Sequence, residues 1–382
     1  MYLLTRVHLT FTAAVLLMTA GIPALQAQDR LATVFYVSPA GNDSWSGTTP
    51  AATGTDGPFA TLPRARDAVR RSLLTGARPS VLVRGGLYRM TSGLVIDSLD
   101  SGTDEHPVTW SAVPGETVRF IGGRTLSGFR KVTDPSVLQR FLPAFRDSIL
   151  VVDLRGQGID DFGSPPNHMN LFFRGVRQQL ARYPNRGWLF IAGVPLIKNS
   201  ILNEGDKKVI KDGLPAGRHS GMFSYDGDRP SRWLSQRDIW MHGYWVWDWR
   251  DAYQRVDRID TILQLVHPAP PHHWYGYQKG QRYCFLNVLE ELDSPGEWAL
   301  DSAKGILYYW PPFPPGPEDV TVSLLKEPMV LLRGASNVEF LGFTFESSRA
   351  CAVKIRGGRN TLVAGCIVRN IDNDTCLVVD GG

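Results

Sequence analysis

The chain has 382 residues, 43% of them hydrophobic, and a net charge of +4 with acids and bases mixed along its length. That length and apolar content are enough for one large core or two medium ones. The balanced charge gives no support for a nucleic-acid or membrane partner. The 38 Gly, 26 Pro and 11 Trp point to many turns and so to a β-rich fold.

The N-terminus reads as a leader. Arg6 and His8 precede an apolar run from Leu9 to Ile22, Pro23 breaks it, and Ala24 to Ala27 supply small residues for cleavage. Residues 1–27 are therefore expected to be a signal peptide and the mature chain secreted or periplasmic. A membrane anchor is the competing reading, but the run is short of the ~20 apolar residues that span a bilayer.

Residues 28–127 are expected to hold a cap and the first coils of a solenoid. "TVFYVS" reads as a strand. Asn42 and Asp43 follow in a turn, where they are read as turn formers rather than calcium ligands. "TLPRARDAVRRSLLTG" reads as one helix, capped by Thr61, with Pro63 in its first turn and Gly76 at its end. Leu62, Ala65, Val69 and Leu73 share its apolar face, which would cover the open end of the solenoid. "SVLVRGG", "LVID", "PVTWSAV" and "TVRFIGG" are short strands between Gly and Pro punctuation.

Residues 128–317 do not repeat and read as a β-rich insertion. "LFFRGVRQQLARY" and "EWALDSAKGILYYW" are hairpins turning at Arg174-Gly175 and Ser302-Gly305. "PPFPPGP" is a stiff link back into coils over 318–382.

The last segment repeats. "NVEFLGFTF" from Asn337 recurs as "NTLVAGCIV" from Asn360 at an offset of 23, and Gly357-Gly358 recurs as Gly381-Gly382 at 24. A period of that size, filled with short β runs, is that of a solenoid with one coil per repeat. Asn337 and Asn360 would stack at one turn, where Asn tolerates the left-handed conformation. The expected fold class is all-β: a right-handed parallel β-helix with a β-rich inserted domain and a short N-terminal capping helix. No capping segment follows the last repeat, so the chain is expected to be truncated.

The four cysteines allow three pairings. Cys366 reads as a small core residue, and Cys351 and Cys376 would share a corner on adjacent coils. Free buried thiols are the plainer reading. No Cys or His spacing fits a metal site, and no cofactor motif is present.

The segment richest in chemistry is "HGYWVWDWRDAY", His242 to Tyr253. On a strand, Trp245, Trp247 and Trp249 fall on one face, and Val246, Asp248 and Arg250 on the other. Aromatic faces stack on the C–H faces of sugars while carboxylates and arginines take the hydroxyls, so Trp245, Trp247, Asp248, Trp249 and Asp251 are candidate saccharide contacts. Core packing is the competing reading for the tryptophans. A second cluster, "PPHHWYGYQKGQRY", adds His272, His273, Tyr277 and Arg282 on a Gly/Pro-rich loop. Glu290, Glu291, Asp293 and Glu297 are either solvated or paired, Glu291 with Arg282.

Several of these segments together, "FYVSPAGNDSWSG", "GPFATLPRARDAV", "LVRGGLYR", "LARYPNRGW", "GYWVWDW", "YGYQKGQRYCFLNVLEELDSPGEW" and "GILYYWPP", resemble secreted right-handed parallel β-helix (pectin lyase-like) proteins. The chain is most similar to the N-terminal portion of glycoside hydrolase family 141. The resemblance covers residues 34–382 and implies hydrolysis of a plant-type or other complex polysaccharide by two carboxylates on later coils. No position here matches those carboxylates, so the catalytic residues are unassigned. Carboxylates about 5 Å apart on neighbouring coils, or about 10 Å across two, bracket the spacings glycosidases use. The rivals are a lyase cleaving a uronate polymer by β-elimination, with Tyr277, Lys279 or Arg282 as base, and a non-catalytic glycan-binding protein. The expected partner is a polysaccharide or oligosaccharide held by a monomer.

Overall fold

The computed structural model describes residues 32–195, 210–211, 214–215, 221–235, 237–372 and 375–381. The expected signal peptide lies outside the described residues. The chain is all-β with few helices, and its sheets are of two kinds.

Three sheets are wholly parallel. The first contains Ala32–Val37, Arg78–Val83, Val108–Ala112, Val338–Leu341 and Thr361–Ala364. The second contains Gly86–Arg89, Val118–Ile121, Phe343–Ser348 and Ile367–Ile371. The third contains Leu94–Asp97, Val330–Arg333, Val353–Arg356 and Leu377–Asp380. The chain visits first, second and third sheet in turn, four times, so each round is a rung stacked on the one before.

The register follows the repeat. Val338 lies beside Thr361 and Phe345 beside Val368, the offset of 23, and Val353 lies beside Leu377, the offset of 24. Alternate residues enter one core, where like meets like on successive rungs. Trp110 stacks on Phe340 with ring centres 5.8 Å apart, and Phe120 meets Phe345 at 5.5 Å. Asn337 and Asn360 adopt φ of 55° and 54°, and the Asn360 side-chain N–H donates to Asn337 Oδ1 at 2.9 Å. The ladder satisfies amides that would otherwise be stranded at a tight corner.

The helix Leu62–Leu74 has Thr61 as its N-cap, and Leu62, Ala65, Ala68 and Val69 are buried against the first rung. Asp43 accepts from the Ala60 and Thr61 N–H groups and from the Thr61 hydroxyl, which fixes the turn entering the helix.

The chain leaves this stack at one corner, after Ile121, and returns before Val330. Gly123–Thr125 on the way out pairs antiparallel with Val320–Ser323 on the way back. Between them stand sheets that are mostly antiparallel, including the hairpins Leu171–Phe173/Val176–Arg177 and Glu297–Asp301/Ile306–Tyr309. The turn residues expected from sequence, Arg174-Gly175 and Ser302-Gly305, connect these pairs. The excursion is tied to the last rung: Arg177 pairs with Asp372, whose other oxygen accepts from Ser323 Oγ at 2.5 Å, and Asn370 donates to the Gly175 carbonyl at 2.7 Å.

Candidate functional site

The largest sheet of the excursion places Trp240–Gly243 between Ala252–Asp260 and Arg282–Leu286, all antiparallel. Arg182–Tyr183 and Leu189–Phe190 add to the far edge of Arg282–Leu286. Alternation along these strands divides the sheet. Met241, Tyr283 and Phe285 enter an aromatic core with Phe223, Trp233, Trp245 and Tyr277. His242 and Tyr253 point the other way and are only half-buried.

On that outer face, rings and charges converge. His242 stacks on Tyr253 with centroids 4.5 Å apart and lies 5.7 Å from Trp188. Trp188 meets Tyr244 edge-on at 5.9 Å. The Arg282 guanidinium sits 3.9 Å above Tyr244, and the Arg182 guanidinium 5.4 Å from the Trp188 ring. Two carboxylates border the rings: Asp248 bonds Arg282 at 2.6 Å, and Asp251 meets His242 Nε2 at 2.7 Å. The hydrogen bond from His242 holds the Asp251 carboxyl below the usual carboxylate range. Aromatic faces flanked by oriented acids and a guanidinium suit polyhydroxylated rings, which need apolar stacking and hydroxyl partners together. Gly243 lets the strands close here: a Cβ at that position would lie 2.7 Å from Tyr283 Cβ and 2.8 Å from the Arg282 carbonyl oxygen.

The residues expected from sequence divide among three places. Asp248, Asp251 and Arg282 join this cluster. Trp245 and Tyr277 are fully buried in the core, Trp245 donating to the Ala252 carbonyl at 2.9 Å and Tyr277 to Gln254 Oε1 at 2.8 Å. Burial raises the Tyr277 phenol well above its ordinary value. Trp249, 67% exposed, meets Tyr275 edge-on at 6.3 Å. Trp247, two residues earlier, is half-buried. His272 Nε2 lies 3.2 Å from the Pro268 carbonyl oxygen, and His273 is buried 5.9 Å from the Tyr275 ring.

The three tryptophans thus do not share a strand face. The strand ends at Gly243, because Gly243 pairs with Ala252 and residues 244–251 are the connection that reverses the chain. Trp188 was not anticipated as a site residue. It comes from the "LARYPNRGW" segment and reaches the cluster only through the edge pairing of Leu189–Phe190 with Arg282–Leu286.

Several other acids are buried. Glu290 is clamped by Arg140, and Glu291, 1% exposed, by Arg229 at 2.6 and 2.7 Å and by the Trp233 indole N–H. Glu291 is therefore neither solvated nor paired with Arg282, the two alternatives open from sequence; it pairs with Arg229, while Arg282 lies on the opposite face with Asp248. Glu346 is wholly buried between Arg119 and Arg369, both at 2.6 Å. Glu297 accepts from the Asp293 and Ser294 N–H groups through one oxygen only, and burial pushes its carboxyl up to about 8. Among the described residues no group of three His, Cys, Asp or Glu side chains could hold a metal ion.

No family model matches the chain, and no curated protein does. Among solved structures, one described as a glycoside hydrolase superposes with a TM-score of 0.62 over 83% of this chain at 20% identity. The match takes in 51% of that structure, so this chain spans about half its length. A second, the complex of XylC with xylose, aligns at a TM-score of 0.35 and 12% identity over 85% of this chain and 40% of that one, and does not bear on the fold. The chain thus shares an all-β fold with a glycoside hydrolase structure.

Proposed function

We propose that this chain is the glycan-holding portion of a secreted carbohydrate-active protein, built on a right-handed parallel β-helix. The in-turn visits to three parallel sheets support the β-helix reading. The neck pairing of Gly123–Thr125 with Val320–Ser323 supports an inserted domain over roughly the 128–317 span. The observation that carries the functional reading is the outer-face cluster of Trp188, His242, Tyr244, Tyr253, Asp248, Asp251 and Arg282. It offers stacking surfaces and hydroxyl partners side by side, as a saccharide requires.

The activity most in keeping with the glycoside hydrolase likeness is hydrolysis of glycosidic bonds by two carboxylates. Glu290, Glu291 and Glu346 are poor candidates for it. A carboxylate clamped by one or two arginines is out of reach of solvent and has its oxygens already engaged, which suits neither proton donation nor attack. That observation favours a second reading, in which this chain binds glycan and cleaves nothing. Incubation with a panel of plant cell-wall polysaccharides separates the outcomes. New reducing ends without ultraviolet-absorbing products support hydrolysis, and unsaturated products support the lyase. Retention on the polysaccharide with no cleavage supports binding alone, and neither retention nor cleavage overturns the proposal.

A further inference from the structure

The placement of the four cysteines separates them, and all four are free thiols in the structure. Cys284 is buried on a central strand of the excursion's largest sheet, beside His242. Cys366 follows the turn between the first and second sheets, where its thiol is directed at the Ala364 and Phe340 carbonyls, 3.4 and 3.7 Å away. Cys351 and Cys376 lie elsewhere, and together. Each stands one or two residues before a strand of the third sheet, on consecutive rungs. The Ala352 N–H donates to the Cys376 carbonyl at 2.9 Å, so the two cysteines are side by side across the rung step. A rung step of about 4.8 Å, with at most one residue of stagger, gives a Cα separation of about 5–6 Å. Disulfides span about 4.4–6.8 Å between Cα atoms.

We propose that Cys351 and Cys376 are the site of a disulfide that staples the last two rungs, leaving Cys284 and Cys366 as thiols. Cys376 is exposed and Cys351 is buried, so Cys376 meets the oxidant first. Its thiolate attacks a small-molecule or protein disulfide, RSSR, forming a mixed disulfide and releasing one RS⁻. The Cys351 thiolate then attacks the Cys376 sulfur and expels the second RS⁻. Two protein thiols are oxidised, the oxidant is reduced, and the two protons end on two RSH. Desolvation holds the Cys351 thiol above its ordinary pKa, with the neighbouring Cys376 adding to the effect, which favours this order of attack.

The test equilibrates the purified chain with oxidised glutathione, quenches in acid, unfolds it without reductant and alkylates with iodoacetamide before mass spectrometry. Of the four cysteines, two are expected to alkylate, Cys284 and Cys366, with Cys351 and Cys376 recovered as one cross-linked peptide pair. All four should alkylate after reduction. Four alkylated residues in the unreduced sample, a bridge between any other pair, or Cys376 retained as a glutathione adduct would overturn the proposal. Reductant should lower the Tm of the oxidised wild type and leave that of Cys376→Ser unchanged; equal shifts in both would count against it.

Discussion

The rung stack and the excursion from its corner both bury side chains between β layers, but by different means. In the stack, each rung repeats the last, so Trp110 meets Phe340, Phe120 meets Phe345 and Asn337 meets Asn360 by register alone. In the excursion, the core is a set of aromatic rings in tilted and edge-on contacts, with carboxylates buried beside it and neutralised by arginines from distant segments. Periodic packing spreads stability over many equivalent contacts. The excursion concentrates it in a few pairs, and presents on its outer face the mixed cluster of rings and charges proposed to hold a ligand.

That contrast is open to direct attack, beginning with the change of largest effect. Arg229→Ala leaves Glu291 buried without its guanidinium, and removes the cation held 5.2 Å from the Tyr183 ring. Breaking a buried pair from one side costs about 3–5 kcal/mol, read as a fall in the denaturant midpoint. A loss under about 1 kcal/mol would mean that the pair is as dispensable as an exposed one.

Glu297 gives a pH signature. Its carboxyl is raised to about 8 from an ordinary 4.5, so its contribution to stability is whole below the ordinary value and is lost as pH rises towards 8. Glu297→Gln should flatten that decline and gain on the order of 1–3 kcal/mol at the alkaline end. Parallel stability–pH curves for the two proteins would refute the assignment.

In the stack, Phe345→Leu should cost less, about 1–1.5 kcal/mol, because the neighbouring rungs share the adjustment and the swap keeps most of the volume. A loss as large as that of Arg229→Ala would erase the distinction between the two regions.

The smallest effect is expected at the site. The Asp251 carboxyl is depressed by His242, so its stabilising contribution is present above its ordinary value of 3.8 and fades as pH falls through the lowered one. Asp251 is about half exposed, so Asp251→Asn should change stability by under about 1 kcal/mol while lowering glycan affinity. An unchanged affinity would remove Asp251 from the site.

What the sequence made legible follows the same division. The offset of 23, the Asn pair, the helix cap at Thr61 and the hairpin turns are local or periodic signals, and each has a counterpart in the structure. The candidate site was legible only in part. Asp248, Asp251 and Arg282 belong to the cluster, but alternation was applied to residues 244–251 as though they formed a strand. The reversal at Gly243 turns Trp245 inwards and Trp249 outwards. Trp188 and the Glu291–Arg229 pair depend on which distant strands meet, and spacing along the chain does not encode that.

The central claim is that the outer face of the excursion's sheet, not the rung stack, holds the glycan. Affinity electrophoresis in gels cast with the polysaccharides of the panel tests it most directly, comparing wild type with Trp188→Ala/Tyr244→Ala. The double variant should keep the wild-type fold by circular dichroism and lose most of its retardation, on the order of tenfold or more in affinity. Equal retardation of the two proteins would contradict the account.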